Sequence, residues 1–176
     1  MMTLFRIRLW ALSLCLLTMV TLPCATQAND ALTLRASLAY NLAKFVQWSE
    51  QVEPKEYWQL CYFSETYDLS FKPLKNKKML GKVLHVKRIR DVSEVMNCDI
   101  VYIDAENRRL LRRLFVALEK KPILTISDSI GFIDQGGMVE VINMKGRLRF
   151  KVNHTEMKNS KILMSSKALK LAIEVK

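Results

Sequence analysis

The chain has 176 residues, 50% of them hydrophobic and 26% charged, enough for one folded core and too balanced for a disordered chain. Only 5 Gly and 4 Pro occur, which excludes collagen-like and low-complexity classes. The formal charge of +11 would by itself put nucleic acid among the partners.

The first 28 residues change that expectation. Arg6 and Arg8 stand in an opening stretch without acids, and residues 9–22 are a charge-free apolar run. Thr26 and Ala28 then put small residues at the two positions a signal peptidase reads. The run is shorter than the ~20 apolar residues that span a bilayer, and Pro23 interrupts its extension. Pro23 directly before Cys24 also argues against a lipoprotein. Residues 1–28 therefore read as a signal peptide cleaved after Ala28. Removing them leaves 148 residues with 26 Lys and Arg against 17 Asp and Glu, a charge of +9. Export out of the cytoplasm argues against DNA or RNA as the natural partner. An acidic protein surface, anionic lipid or cell-wall polymer suits a basic exported domain better.

Residues 31–48 read as the first helix. Leu34, Leu38, Leu42, Phe45 and Val46 recur at helical spacing and form the expected buried stripe, with Asn29 or Asp30 as cap. Ser37, Asn41, Lys44 and Trp48 fall on another side. Residues 58–63 read as strand one, and residues 64–78 as polar connection or short helix. Residues 82–89 alternate as strand two. Residues 98–103 are almost wholly apolar, as a strand covered on both faces would be. Residues 105–119 predict an amphipathic helix buried through Leu110, Leu111, Leu114, Phe115 and Leu118, with Arg108, Arg109, Arg112 and Arg113 on the outside. Residues 122–127 give strand four. Residues 138–142 and 147–153 predict an antiparallel hairpin around Met144, Lys145 and Gly146. A last helix, capped by Ser165 or Ser166, runs through Ile173.

Helices alternating with short buried strands imply an α/β fold. The expectation is a single-domain sandwich over residues 29–176, with a mostly parallel central sheet flanked by helices and a C-terminal antiparallel hairpin. A 2-1-3-4 strand order would set strands one and three side by side. Cys61 and Cys98 sit on those strands and are the only cysteines after residue 28. An even count after export favours one disulfide; two buried reduced thiols are the alternative.

The sequence offers no catalytic set. His85 and His154 lie on different elements, and neither has a partner spaced for a metal site. Phosphate-loop, nucleophile-elbow and zinc-protease motifs are missing from the sequence. No metal or cofactor is expected, and no catalytic residue. Asp104, Ser127 and Asp128 end strands three and four, where doubly wound sheets usually hold ligands. They are the candidate ligand crevice of an exported small-molecule sensor, the alternative reading.

Four blocks of sequence resemble the YfiR family of exported bacterial proteins. The first runs from Leu34 to Trp48, with Tyr40, Asn41, Lys44, Phe45 and Trp48 at matching places. The second is the pair Cys61 and Cys98. The third is residues 121–128, followed by Gly131, Phe132, Gly136 and Gly137. The fourth is Arg147, Leu148, Arg149, Phe150 and Asn153, then Leu163, Ser165, Ser166, Leu169, Leu171 and Ala172. Arg35, Leu42 and Ser49 depart from the family's usual Lys, Phe and Pro. The resemblance implies a periplasmic negative regulator that binds the periplasmic domain of a YfiN-type inner-membrane diguanylate cyclase. A YfiB-type outer-membrane lipoprotein would sequester it and release cyclic-di-GMP synthesis, favouring biofilm. A homodimer and a redox-sensitive disulfide are implied as well. Asn41, Lys44 and Trp48 are the candidate partner-binding residues.

Overall fold

The computed structural model describes residues 25–49 and 55–176. The leader expected at 1–28 lies outside the described residues, except for 25–28. Helix α1 spans Ala25–Ala43, so its first turn crosses the expected cleavage point. Asn29 and Asp30 accordingly lie inside the helix rather than at its cap.

The chain buries only part of the stripe that side-chain size suggests: Leu42 and Val46 are buried and Leu38 packs partly against the core. Ala36, Ala39, Leu42 and Ala43 face the core, whereas Leu34 is 54% and Phe45 41% exposed. Alanines at this spacing share one face and let the helix lie close to the sheet, so the larger leucines turn partly outward. The helix also stops early. Phe45 N donates to Leu42 O in the closing turn, and strand β1 (Val46–Trp48) pairs antiparallel with β9 (Ile162–Met164). Trp48 thus sits on a strand, not on the helix. Val46 and Trp48 are strand-forming residue types, and β9 gives their backbone groups partners.

The main sheet has eight strands: β2 (Tyr57–Tyr62), β3 (Lys78–Met79), β4 (Lys82–Arg88), β5 (Ile100–Ile103), β6 (Leu124–Ser127), β7 (Val139–Met144), β8 (Arg147–Val152) and β10 (Glu174–Val175). Their order is β10-β8-β7-β6-β5-β2-β4-β3. The segment β4-β2-β5-β6 is the expected 2-1-3-4 order, all parallel. The β7–β8 pair is the expected hairpin, and β7 joins β6 in parallel. The fold is a mixed α/β sandwich built on a mostly parallel sheet.

Three elements differ from expectation. The helix expected at 105–119 is a 3-10 segment, Ala105–Leu110, continued by α3 (Leu111–Ala117). The last helix is only α5 (Ser166–Leu169), because the chain then turns to add β10 beside β8. Between β8 and β9 lies a short helix, α4 (His154–Asn159), capped by Asn153. The connection after β2 holds α2 (Asp68–Phe71) between two 3-10 turns.

Alternation along the strands sends side chains to two cores. Leu60, Tyr62, Ile100, Tyr102, Leu124 and Ile126 pack with α1 and Phe71. Cys61, Phe63, Val101 and Ile103 pack with Leu111, Leu114 and Phe132 on the opposite face. The Cys61–Cys98 disulfide is formed, with a Cα–Cα distance of 6.0 Å. It ties β2 to the end of the 3-10 segment Val92–Asn97 that leads into β5. The glycine-rich loop serves this second core. A Cβ on Gly137 would come within 2.2 Å of the Phe132 ring, so only glycine fits there without repacking.

Candidate functional site at the carboxyl end of the sheet

The parallel strands β2, β4, β5 and β6 all end on one edge. β4 lies on one side of β2 and β5 on the other, so the chain switches direction at β2. In such sheets the carboxyl ends flanking the switch open into a crevice.

Asp128 follows β6 and is the hub of a hydrogen-bonded junction. Its Oδ2 accepts from the Tyr67 hydroxyl at 2.9 Å and its Oδ1 from the Ala105 amide at 2.9 Å. Arg35 Nε from α1 lies 3.4 Å from Oδ2. The Tyr67 and Tyr102 hydroxyls are 3.0 Å apart. Burial pushes both phenols above the usual tyrosine range, and the Asp128 charge adds to the shift. Burial alone would lower the Arg35 pKa, but Tyr67 and Asp128 together raise it. The junction therefore holds neutral tyrosines around one carboxylate–guanidinium pair. It joins α1, the turn after β2, β5 and β6.

Asp104 and Ser127 are also committed internally. Asp104 caps the 3-10 segment, accepting from the Glu106 amide at 3.1 Å and from Asn107 Nδ2 at 2.9 Å. Ser127 is fully buried, and its Oγ accepts from the Ser129 amide at 2.9 Å. Each of the three residues expected to line a crevice also makes hydrogen bonds that end a strand or start a turn.

The open crevice lies one step across the edge, over β2, β4 and β5. Phe63, Ser64, Glu65, Arg88, Arg90 and Asn107 line a cavity of about 460 Å³. Arg88 Nη1 sits 3.1 Å from Glu65 Oε2 and 3.4 Å from Asp68 Oδ2. Asp68 Oδ1 accepts from the Tyr62 hydroxyl at 2.8 Å, which holds the carboxylate against Arg88. Burial, then this bond, push the Tyr62 phenol above its usual range. Sequence reasoning missed these lining residues. The signal was in the strand order, since 2-1-3-4 puts the switch between strands one and three, and Phe63, Ser64 and Glu65 come directly after strand one.

Of the candidate partner-binding residues, Asn41 is exposed on α1 and Lys44 is exposed in the turn that follows it. Lys44 Nζ stands 4.8 Å from the Tyr40 ring centroid. Trp48 is half-buried. Its Nε1 donates to Pro122 O at 2.9 Å, and its ring lies 4.5 Å from that of Trp58. It reaches the surface where it lines a groove of about 340 Å³ with Leu163. His85 stacks on Tyr57 on β4, and His154 lies on α4.

This chain matches the YfiR/HmsC-like family over residues 32–173. That span covers residues 32–43 of the first helix, both cysteines, the whole main sheet except the last two-residue strand, and every residue of the carboxyl-edge site. The chain belongs to the YfiR/HmsC-like family. A crystal structure of a conserved domain protein from Vibrio cholerae O1 biovar El Tor is similar in fold, with a TM-score of 0.53 at 12% identity. The similarity covers 82% of this chain, which spans 60% of that one. No curated protein matches the sequence. The YfiR-like opening block thus corresponds to α1, β1 and their junction with β9. No helix among the described residues is long and apolar enough to cross a membrane.

Proposed function

We propose that this protein is a periplasmic regulator that represses an inner-membrane diguanylate cyclase by binding its periplasmic domain. The observation that carries this reading is the family match over residues 32–173. In this reading residues 1–28 are the cleaved leader and residues 29–176 the regulatory domain. It acts by binding rather than catalysis, holding the cyclase in its inactive state because it binds that state more tightly. Cyclic-di-GMP signalling and biofilm formation follow from release of that hold. A YfiB-type outer-membrane lipoprotein competes for the regulator, which works as a homodimer.

The outward face of α1 is the proposed contact surface. Asn41 stands there, and the surface continues into the closing turn with Lys44 and the exposed part of Phe45. A lysine next to apolar surface suits a partner that offers a carboxylate beside an apolar anchor. Trp48 contributes only the edge that reaches its groove.

The test is a pull-down with the protein as its host processes it, against membrane extract, with mass spectrometry of what is retained. Retention of a diguanylate cyclase, reduced about tenfold by Lys44→Glu, is expected. A retained set without any such cyclase sinks the reading. A cyclase held equally by Lys44→Glu moves the contact surface off α1.

A further inference from the structure

We propose that the crevice at the switch between β2 and β5 is a binding site for the oxyanion of a small molecule, a carboxylate or a phosphate. The site is independent of the cyclase reading and stands on its own geometry.

The cavity of about 460 Å³ falls within the size of small-molecule sites. It lies at the place where a doubly wound sheet presents its ligands. Two guanidinium groups, Arg88 and Arg90, line it together with Ser64 and Asn107. Arg88 is aimed rather than loose. Asp68 holds its Nη1 from one side, and Asp68 is itself held by the Tyr62 hydroxyl. Both carboxylates that touch Arg88 do so through that one nitrogen. Nε and Nη2 remain for a ligand, and a guanidinium fork matches carboxylate and phosphate geometry. The Arg90 guanidinium forms no ion pair among the described residues, so a second fork is available. Phe63 is buried and is the aromatic residue in the cavity lining.

Glu65 identifies the ligand chemistry. Its carboxylate already rests on Arg88, yet its side chain is 84% exposed. An exposed pair of this kind is weak and exchanges readily. An incoming oxyanion displaces Glu65 from Arg88 and gains Arg90, which Glu65 does not engage. Two guanidinium groups then face Asp68 and the bound anion.

The test titrates the protein, as its host processes it, with inorganic phosphate and separately with succinate. Sodium chloride at matched ionic strength is the reference. Thermal stability reports binding by mass action, and the Nε–Hε resonances of Arg88 and Arg90 report its place. A saturable rise in melting temperature beyond the chloride reference, with both resonances moving, is expected for at least one probe. A response to phosphate alone supports the proposal and assigns a phosphoryl ligand; a response to succinate alone supports it and assigns a carboxylate. Arg90→Ala, at an exposed position, should weaken binding about tenfold. Glu65→Gln should tighten it severalfold, because the internal competitor is gone. No saturable response to either probe overturns the proposal, as does wild-type affinity in Arg90→Ala. Unchanged or weaker binding in Glu65→Gln overturns the displacement step.

Discussion

The two faces of the main sheet are held by different means. On the α1 face a helix of 19 residues lies close through its alanines. Beneath it Tyr62 stacks on Phe71 at 4.7 Å, Tyr67 meets Tyr102 at 5.0 Å, and Asp128 ties the edge together. The opposite face carries short helical pieces: two 3-10 segments of six residues, the seven-residue α3 and the 3-10 turn Ile133–Gln135 beside Phe132. Helices this short have little stability of their own. That is the face that carries the disulfide. Asp91 and Glu94 add a capping box to the segment the disulfide closes. Where the chain supplies no long helix, a covalent link and local caps hold the layer in place.

The sharpest way to break this comparison is to remove the link. Cys61→Ser with Cys98→Ser opens a loop with a sequence separation of 37. The chain-entropy model gives a loss of about 4 kcal/mol. Denaturant unfolding measures the total, and amide exchange locates it. Exchange should accelerate first in residues 92–97 and in α3, while α1 stays protected. Equal acceleration in α1 would show that the two faces unfold as one unit and that the contrast is only descriptive.

The matching cut on the other face is Asp128→Ala. It removes the acceptor for Tyr67 and for the Ala105 amide and leaves Arg35 without its carboxylate. Hydrogen bonds to a charged acceptor make this worth about 3 kcal/mol. Because the junction joins α1 to β6, protection in α1 should fall here and not in the cysteine variant. A loss below 1 kcal/mol would mean that water replaces the carboxylate and that the junction is not a brace.

The contrast also explains what the sequence revealed. The disulfide face was legible: two cysteines in exported strands, a leucine stripe at 110–118, and the 2-1-3-4 order that brings the cysteines together. These signals are large, repeated side chains and a covalent constraint. The α1 face was harder to read. Ranking by size puts Leu34, Leu38 and Phe45 inside, whereas close approach to the sheet selects Ala36, Ala39 and Ala43. Strands of two or three residues, such as β1, β9 and β10, are too short for a period to show. The site followed the same division. Its edge was legible from the strand order, but which acids would be spent on caps and turns depends on contacts between distant residues. Asp104 and Ser127 were spent this way, whereas Arg90 forms no ion pair among the described residues.

Trp48 tests that lesson at smaller scale. In the sequence it reads as an exposed helical residue, while in the fold its Nε1 anchors β1 to the segment before β6 through Pro122 O. Trp48→Phe keeps the ring contact with Trp58 and loses the bond, at a cost of about 1 kcal/mol. Thermal unfolding at neutral pH measures it. No change in stability would return Trp48 to the surface role that its sequence position suggests.

The smallest expected effect is a pH dependence on the disulfide face. The backbone amide of Arg90, then Lys87, holds the Glu94 carboxyl down to about 2, from an ordinary value of 4.5. Between those values the unfolded chain binds the proton and the folded chain does not, so stability rises with pH across that window. The contribution is complete above about 4.5 and is lost as pH falls toward about 2. Glu94 lies at the surface, so solvent and salt screen much of the effect. Glu94→Gln should therefore flatten the acid limb of the stability curve slightly and leave the limb above pH ~5 parallel to wild type. The same difference should shrink in high salt, because the Lys87 pair at 2.8 Å is exposed. If the acid limbs of variant and wild type coincide at low salt, the capping box is a geometric stop for the 3-10 segment, and the disulfide alone secures that end of the face.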